Sequence, residues 1–350
     1  MKTLADRMRR HGSAMRPGLY QTLLLAMADD WDAGGVVREI MGEDAPTSAV
    51  LQLRLLGGLQ RLVLNRQAPQ LSMYYPNLGG TASPEHAWAD VEPVLRAHVP
   101  ELREALLLAP QTNEAGRSAA LLIGLFDAVR RSGMSRVRLL EVGASAGLNL
   151  LVDQFHFSGA GWSYGPAGSP LQLTDVSEGE VEPIEFTVVS RRGCDLSPID
   201  ASSADGRLRL TSFVWPDDLH RYERLRSALQ VAAAHPVTVD AAPASSWLRE
   251  QLSRADSDVL TVVWHSVTRQ YWPLAEIQAV DAVIAGARAS MPIAHIAMES
   301  PVSAADQRTD RGYRPQELSV LLSVPGGVAD HAPRLLATIG DHGLPVRMAQ

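Results

Sequence analysis

The sequence predicts an α/β fold, in which a doubly wound sheet of parallel strands follows a helical N-terminal region. No strand pattern occurs before residue 136. Beyond it, short apolar runs that contain β-branched residues alternate with segments of helix length, which is typical of a parallel sheet with helices on both faces. We therefore divide the chain into a helical cap region at residues 1–110 and an α/β domain at residues 111–350.

The predicted elements follow this division in chain order. Residues 48–65 carry apolar side chains at helical spacing, residues 73–84 form a loop rich in Gly, Pro and Asn, and residues 85–108 are again helical. Five strands are predicted in the α/β domain, at residues 136–143, 185–190, 236–241, 259–266 and 292–300. Two further strands, at residues 318–324 and 344–349, are expected to form an antiparallel edge.

Composition excludes several classes of protein. The 350 residues carry a net charge of −7 and are 46% hydrophobic, which is an ordinary globular balance. The longest apolar stretch, Ala119–Phe126, is far shorter than the roughly 18–20 residues of a membrane helix, and the N-terminus lacks the apolar segment of a signal peptide. We expect a cytoplasmic protein without membrane contact, and the mild acidity argues against a general nucleic-acid binder.

Two rare residue types narrow the chemistry further. Cys194 is the only cysteine, which excludes an intrachain disulfide, a CxxC redox pair and a multi-cysteine metal site. Lys2 is the only lysine, whereas arginine occurs 31 times, a bias typical of GC-rich bacterial coding. P-loop enzymes, protein kinases and pyridoxal enzymes are therefore excluded, because they need a lysine at the phosphates or at the cofactor. We also predict no structural metal.

The segment Leu139–Leu151 combines an apolar strand, a turn of glycines and small residues, and a predicted helix. Gly143 and Gly147 allow a tight turn and the close approach of a ligand. The helix start at Ala146–Leu148 would offer N–H groups to a polar ligand. Three ligand classes fit this turn. A nicotinamide cofactor is disfavoured, because the third glycine of its fingerprint is missing and no lysine could assist a catalytic tyrosine.

An α/β-hydrolase is an alternative. Residues 143–147 read G-x-S-x-G between a strand and a helix, so Ser145 would be the nucleophile of an elbow turn. The oxyanion donor, the acid and the base would then come from glycines, an aspartate and a histidine elsewhere in the chain, namely Gly79 and Gly80, Asp310, and His331 or His342.

The third ligand class, S-adenosylmethionine, is favoured by residues further along the chain. Asp195 closes the second apolar run, where a carboxylate can accept hydrogen bonds from both ribose hydroxyls. Asp240 ends the third run, near the expected adenine edge, and the fourth run delivers His265 to the carboxyl end of the sheet, where ligands bind in such folds. If the insertion at residues 159–183 contained the true second strand, Asp175 would replace Asp195.

Through LLEVGASAG, GCDLSP and VTVDA, the chain resembles class I S-adenosylmethionine-dependent methyltransferases. It resembles more closely a bacterial family of unknown function with that fold, through YYPNLGG, QTNEAGRSAALL, VSRRGCDLSP, FVWPDD and WHSVTRQYW. The resemblance implies a Rossmann-like methyltransferase sheet, S-adenosylmethionine as cofactor and a small-molecule substrate with an O, N or S nucleophile. A non-catalytic nucleoside-binding protein of the same fold is a further alternative.

The resemblance also implies site residues. The cofactor-binding positions are Glu141, Gly143, Ala144, Ser145, Gly147, Asp195, Leu196, Asp240 and Ala241. The candidates for catalytic groups are His265, Glu114 and Tyr271, and the candidates for substrate contacts are Asn113 and Arg117. The chain departs from the methyltransferase pattern with Ala-Ser-Ala between the two glycines. It also places 48 residues between Gly147 and Asp195, against roughly 20 in a plain βαβ step.

Structural interpretations stand beside these functional ones. His265 could be a core histidine that is bonded to the backbone, and Glu114 and Arg117, three residues apart, could form an exposed ion pair. Tyr271 could serve packing alone. Cys194 is expected to be a buried small side chain.

Overall fold

The computed structural model describes residues 3–43, 50–111, 113–254, 256–300 and 316–349. They form two compact units. The first comprises Met1–Thr112 and Ser203–Glu223, and the second comprises Asn113–Ser202 and Arg224–Gln350. The first unit thus contains a segment, residues 203–223, that the sequence analysis assigns to the α/β domain.

The helices are, in chain order, α1 (Leu4–Ala14), α2 (Leu19–Asp32), α3 (Val36–Met41), α4 (Leu51–Leu64), α5 (Ala87–Ala97), α6 (Val99–Ala105), α7 (Ser118–Ser132), α8 (Ala204–Ser212), α9 (Leu219–Ala234), α10 (Ala244–Gln251) and α11 (Leu274–Ala287). Helices α1–α6 and α8 lie in the first unit, and α9 begins in the first unit and continues into the second. No helix among the described residues has the length and apolar character that a membrane crossing requires.

The first unit is helical, as predicted for the N-terminal region. Its core consists of buried apolar side chains from α1–α6 and from the 3₁₀ segment Pro69–Tyr74. The predicted helix at residues 85–108 is divided at His98 into α5 and α6. Pro100 explains the break, because it has no N–H to continue the hydrogen bonds of α5 and is tolerated in the first turn of a new helix.

The strands are β1 (Arg136–Val142), β2 (His156–Gly159), β3 (Trp162–Tyr164), β4 (Gln172–Leu173), β5 (Ser177–Glu178), β6 (Thr187–Asp195), β7 (Val239–Ala241), β8 (Leu260–Ser266), β9 (Ile293–Glu299), β10 (Gln316–Ser323), β11 (Arg334–Ile339) and β12 (Val346–Met348). In the described residues, nine of them form one sheet in the order β5-β12-β11-β10-β9-β8-β1-β6-β7. Strands β7, β6, β1, β8 and β9 are mutually parallel, and β10–β12 pair in antiparallel fashion.

Helices cover both faces of this mostly parallel sheet. Helix α7 packs against β9 and β10, and Gly124 of α7 lies so close to Ile296 that an added Cβ would approach its side chain to 2.6 Å. Helices α10 and α11 share a buried apolar cluster with Ile293 and with residues of β1 and β8. Because side chains alternate along a strand, Ile293 and Ile296 point to opposite faces. The α/β prediction is confirmed at this level.

The crossover from β1 to β6 differs from the prediction. A 3₁₀ segment, Leu148–Gln154, replaces the expected helix after the turn. The insertion that follows forms most of a separate sheet in the order β3-β2-β4, and β5 joins the far edge of the main sheet beside β12. The strand beside β1 is β6, so the acid that ends the second strand of the parallel sheet is Asp195, and the alternative with Asp175 is wrong.

Candidate functional site

The turn after β1 has a strongly constrained backbone. Gly143, Ser145 and Gly147 have φ values of 72°, 53° and 73°, in the left-handed region. A Cβ at Gly143 would lie 2.4 Å from Thr268 Oγ1, and one at Gly147 would lie 2.7 Å from a methyl group of Val237. Both glycines are therefore required by their backbone conformation and by the lack of space for a Cβ. The left-handed backbone of Ser145 is energetically unfavourable for a residue that has a side chain.

Asp195, at the end of β6, is bonded to this turn. Its Oδ2 accepts a hydrogen bond from the Ser145 N–H at 2.9 Å, and its Oδ1 accepts one from the Ser197 N–H at 2.9 Å. The Ala144 N–H donates to the carbonyl of Cys194 at 3.0 Å. The predicted cofactor turn and the predicted ribose acid thus meet at the carboxyl ends of two adjacent strands.

Asn113 fastens the other side of the turn. Its side chain is 8% exposed, and its Oδ1 accepts hydrogen bonds from the N–H groups of Ala146 at 3.1 Å and Leu148 at 2.9 Å. These N–H groups were expected to be available to a ligand. That expectation is wrong, because both of them donate to Asn113. Because both partners are N–H donors, the Asn113 amide atom that faces them must be the oxygen. Asn113 shapes the turn, a role that its type and position alone did not indicate.

Glu141 lies at the end of β1 with 2% of its surface exposed. Burial raises its pKa from 4.5 to about 8, with a smaller contribution from the charge of Asp195. Asn149 Nδ2 approaches its Oε1 at 3.4 Å, whereas its Oε2 has no hydrogen-bond partner within the described chain. The indole of Trp264 lies nearby, but its Nε1 also lacks a partner of hydrogen-bonding geometry. An unsatisfied buried carboxyl is costly, which makes Glu141 a candidate for contact with a ligand.

Glu114 and Arg117 lie in the second unit, directly before α7 in the chain. Glu114 is 5% exposed, and its Oε1 accepts hydrogen bonds from Arg224 Nε at 3.0 Å and from the Gly116 N–H at 3.1 Å. Arg117 donates to the carbonyls of Asp341 at 2.8 Å and Ser266 at 3.4 Å. The interpretation as an exposed pair is wrong for Glu114, because its side chain is buried in an ion pair with Arg224.

His265 is the sixth residue of β8 and is fully buried. Its Nδ1 lies 2.7 Å from Glu299 Oε1, and its Nε2 lies 2.9 Å from the Nε2 of His295. The structural interpretation is thus correct as to burial, but the partners are side chains rather than backbone groups. With both ring nitrogens bonded inside the sheet, His265 does not present a nitrogen directly to a substrate.

Glu299 was not singled out from the sequence. It lies at the carboxyl end of the fifth predicted strand, just as Asp195 and Asp240 lie at the carboxyl ends of the second and third apolar runs. Its Oε1 also accepts hydrogen bonds from the N–H groups of Thr268 at 3.1 Å and Arg269 at 3.2 Å. An acid at the end of a strand was the available signal. The partners could be found only through the register of β8 and β9, which pairs His265 with Ala297.

Asp240 and the remaining predicted cofactor residues lie on the other side of the first strand. Arg192 forms two hydrogen bonds with the Asp240 carboxylate, at 2.6 and 2.9 Å, and Trp247 Nε1 donates a third at 2.7 Å. Arg192 holds the pKa of Asp240 below its ordinary value. Ala241 ends β7, and Leu196, directly after Asp195, is 77% exposed. Tyr271 is likewise 77% exposed.

Buried packing is visible at two places in the second unit. Cys194 is 1% exposed, and burial raises its pKa to about 12, which agrees with a small buried side chain. Tyr164 of the insertion stacks on Phe186 with ring centres 5.4 Å apart and meets Phe126 edge to face at 5.1 Å. These aromatic contacts attach the insertion to α7 and to the segment before β6.

The structure locates the two candidate histidines for a hydrolase relative to Ser145. His331 lies in the hairpin between β10 and β11, at the amino ends of the parallel strands and so at the edge opposite Ser145. His342 follows β11 and lies at the same edge as Ser145. Gly79 and Gly80 belong to the first unit, and Asp310 lies outside the described residues. Within those residues, no three His, Cys, Asp or Glu side chains are grouped to hold a metal ion.

Comparison with known proteins places the chain in a family. No curated protein matches the sequence, and no solved structure matches it. One family model does match, over residues 2–347, and its description is "Uncharacterized protein conserved in bacteria (DUF2332)". Because this match spans nearly the whole sequence, the chain belongs to that bacterial family.

Proposed function

We propose that the second unit binds S-adenosylmethionine and transfers its methyl group to an O, N or S nucleophile of a small molecule. One observation carries the proposal. The parallel strands lie in the chain order third, second, first, fourth, fifth, which is the order of Rossmann-type nucleotide-binding sheets. Such sheets bind ligands outside the carboxyl ends of the strands where that order reverses, here beside β1 and β8. The Gly143–Gly147 turn and Asp195 lie at that edge.

One buried residue at this edge fits such a cofactor. Glu141 has a buried carboxylate oxygen without a hydrogen-bond partner in the described chain, and the ammonium group of the methionine part would satisfy it. The spaces beside Gly143 and Gly147 are taken by Thr268 and Val237, so these two glycines serve the packing of the turn. The N–H groups of Ser145, Ala146 and Leu148 are bonded within the protein, so the turn would contribute shape rather than donors.

Asp195 and its neighbour would hold the nucleoside part. The Ser145 and Ser197 N–H groups fix the Asp195 carboxylate in one orientation before any ligand arrives. A carboxylate has enough lone pairs to accept hydroxyl donors in addition to such bonds. The exposed Leu196 side chain would cover one face of the adenine. Asp240, already paired with Arg192 and Trp247, would frame the pocket rather than receive a donor.

The cofactor would supply a methyl group already activated on a sulfonium. The chain would therefore contribute mainly by holding the acceptor in line with it, because orientation alone removes much of the barrier to such transfers. Of the three catalytic candidates, Tyr271 alone is exposed, Glu114 is paired with Arg224, and His265 is enclosed. We propose Tyr271 as a proton relay, whose hydroxyl oxygen takes the proton that leaves the acceptor while its own O–H proton passes to solvent.

A thermal shift with S-adenosylhomocysteine tests the proposal in the parent protein, Asp195→Ala and Asp175→Ala. At a ligand concentration about 100 times the dissociation constant, binding to the native state adds about 2.7 kcal/mol of stability. We expect a shift of several degrees in the parent and in Asp175→Ala, and none in Asp195→Ala. The absence of a shift in the parent at millimolar ligand would refute the proposal. Binding without turnover of any acceptor would instead favour the non-catalytic alternative.

A hydrolase is the second candidate, because of the backbone of Ser145. A serine with φ of 53° between two glycines has the strained conformation of a nucleophile elbow. A fluorophosphonate probe would label an activated Ser145, with loss of label in Ser145→Ala and retention in Ser197→Ala. An unlabelled parent protein would exclude this candidate.

A further inference from the structure

Glu299 joins the end of β9 to the loop that follows β8. A single carboxylate oxygen, Oε1, accepts hydrogen bonds from His265 Nδ1 at 2.7 Å, from the Thr268 N–H at 3.1 Å and from the Arg269 N–H at 3.2 Å. The Glu299 side chain is only 13% exposed. Hydrogen bonds to a charged acceptor in such a setting are among the strongest that a protein makes.

The protons of the two histidines follow from these contacts. An oxygen that accepts requires a proton on His265 Nδ1. The Nε2 atoms of His265 and His295 lie 2.9 Å apart, and one proton fits between them, on either ring. Burial lowers the pKa of His295 well below its ordinary value, and the neighbouring His265 and Arg269 lower it further. His295 is therefore neutral, and in either arrangement His265 keeps its Nδ1 proton for Glu299.

The loop held in this way touches the turn after β1. Thr268 is the second residue beyond β8, and its Oγ1, Cβ and Cγ2 lie 2.4, 2.9 and 3.1 Å from the position of a Cβ on Gly143. The residue before it, Val267, has a φ of 51° and donates its N–H to the Met298 carbonyl at 2.9 Å. The Thr268 side chain thus packs against Gly143, and the backbone of its loop is hydrogen-bonded to β9.

We propose that Glu299 is a positioning residue, whose carboxylate fixes a proton on His265 Nδ1 and holds the Thr268 backbone so that the Thr268 side chain closes over Gly143. The consequence for ligand binding rests on the proposed function. If the Gly143–Gly147 turn receives the cofactor, the position of Thr268 sets the room above its first glycine. Glu299 would then govern affinity without touching the ligand.

The surrounding charges provide a matched control. Arg269 forms an ion pair with Asp281 of α11, in which Arg269 Nη1 lies 2.8 Å from Asp281 Oδ1. The positive charge of the Arg269 side chain is therefore partly balanced. The ring of Trp272 lies 5.6 Å from that of His265. Glu317 of β10 is the register partner of Glu299, is also partly exposed, and lies on a different strand from the loop. Glu317→Gln therefore removes a neighbouring charge without removing the anchor of the loop.

Imidazole and amide NMR tests the positioning directly. In the parent, we expect a proton on His265 Nδ1 and slow exchange of the Thr268 and Arg269 amides. Glu299→Ala should lose the Nδ1 proton signal and accelerate exchange of both amides by about tenfold or more, whereas Glu299→Gln, which keeps an acceptor oxygen, should show an intermediate effect. Glu317→Gln should match the parent. Unchanged signals and exchange in Glu299→Ala, with the fold intact by circular dichroism, would overturn the proposal.

Titration with S-adenosylhomocysteine tests the consequence for binding. We expect Glu299→Ala and Thr268→Ala to weaken binding about tenfold or more, with Glu317→Gln unchanged. A parent protein that binds no S-adenosylhomocysteine would refute the proposed function, and the NMR result would still decide the positioning role. Equal affinity in the parent and Glu299→Ala would overturn the inference while leaving the proposed function intact.

Discussion

The Ser145 N–H donates to Asp195 Oδ2 at 2.9 Å, and this bond ties the end of β6 to the turn after β1. The two residues are 50 positions apart in the chain. They meet because β1 and β6 are adjacent parallel strands, whose carboxyl ends lie at one edge of the sheet. This edge of the sheet therefore presents an acid that the backbone has already oriented.

The first prediction concerns the structural cost of removing that acid. Asp195→Ala should lower the free energy of unfolding by about 1–3 kcal/mol without ligand, because the Ser145 and Ser197 N–H groups lose a charged acceptor. Urea denaturation measures this difference. Asp195→Asn should cost less, since its amide oxygen can accept one of the two bonds. Equal stability of the alanine variant and the parent would mean that the two bonds contribute nothing to the fold.

The second prediction separates the two roles of Asn113. Its backbone has a φ of 39°, and its Oδ1 accepts two buried N–H groups. Asn113→Gly relieves the conformational strain but leaves both donors unsatisfied, at about 1–3 kcal/mol for each buried donor. Asn113→Ala should be less stable still, by about 1 kcal/mol, because it adds the cost of a positive φ. A glycine variant as stable as the parent in urea would show that water replaces the amide oxygen without loss.

Much of the sheet could be predicted from the sequence, because each buried parallel strand is a compact apolar run. Strand β11 was missed even though LLATI is such a run, since it lies between two segments rich in Gly, Asp and His. The 3₁₀ segment after β1 was predicted as a helix because both conformations suit the same apolar spacing. The partners of Asn113 and His265 could not be predicted, because they lie 30–35 residues away and depend on strand register and on the path of a turn.

The third prediction is a pH dependence of stability that comes from Glu141. Burial raises its pKa from 4.5 to about 8, so between these values the native state holds a proton that the unfolded chain has released. Its contribution to stability is therefore full below about pH 4.5 and is lost as the pH rises towards 8, by up to about 1.4 kcal/mol per pH unit. Glu141→Gln should lose this slope and gain stability relative to the parent from pH 5 to 8.

The control for Glu141 is Glu180→Gln, which changes an exposed glutamate and should follow the parent at every pH. Binding of S-adenosylhomocysteine gives a second measurement, because an ammonium beside Glu141 favours its ionised form. Affinity in the parent should rise with pH towards 8. Protons should be released on binding, so the binding enthalpy measured by calorimetry should differ between buffers with different ionisation enthalpies. The same pH slope in the parent and Glu141→Gln would assign the dependence to another group.

The fourth prediction concerns acid sensitivity. His295 has a pKa well below its ordinary value because of burial first and then the neighbouring His265 and Arg269. The unfolded chain therefore binds a proton that the native state excludes, and stability is lost as the pH falls below about 6.5. His295→Gln should flatten the loss between pH 6.5 and 5. His331→Gln, at an exposed histidine in the β10–β11 hairpin, should keep the parent slope in the same urea series.

The last prediction separates strain from contact at the turn. Gly143 and Gly133 have nearly equal φ values, 72° and 70°, but a Cβ at Gly133 would meet no atom within 4 Å. Gly133→Ala should therefore cost only the left-handed conformation, about 1–2 kcal/mol. Gly143→Ala should cost at least about 1 kcal/mol more, since its Cβ would collide with Thr268. In a Thr268→Ala background this excess should shrink, because two of the three colliding atoms are gone, while the cost of Gly133→Ala should not change. An excess that persists in full in that background would show that the collision is with the Cβ that alanine retains rather than with the Thr268 hydroxyl and methyl groups.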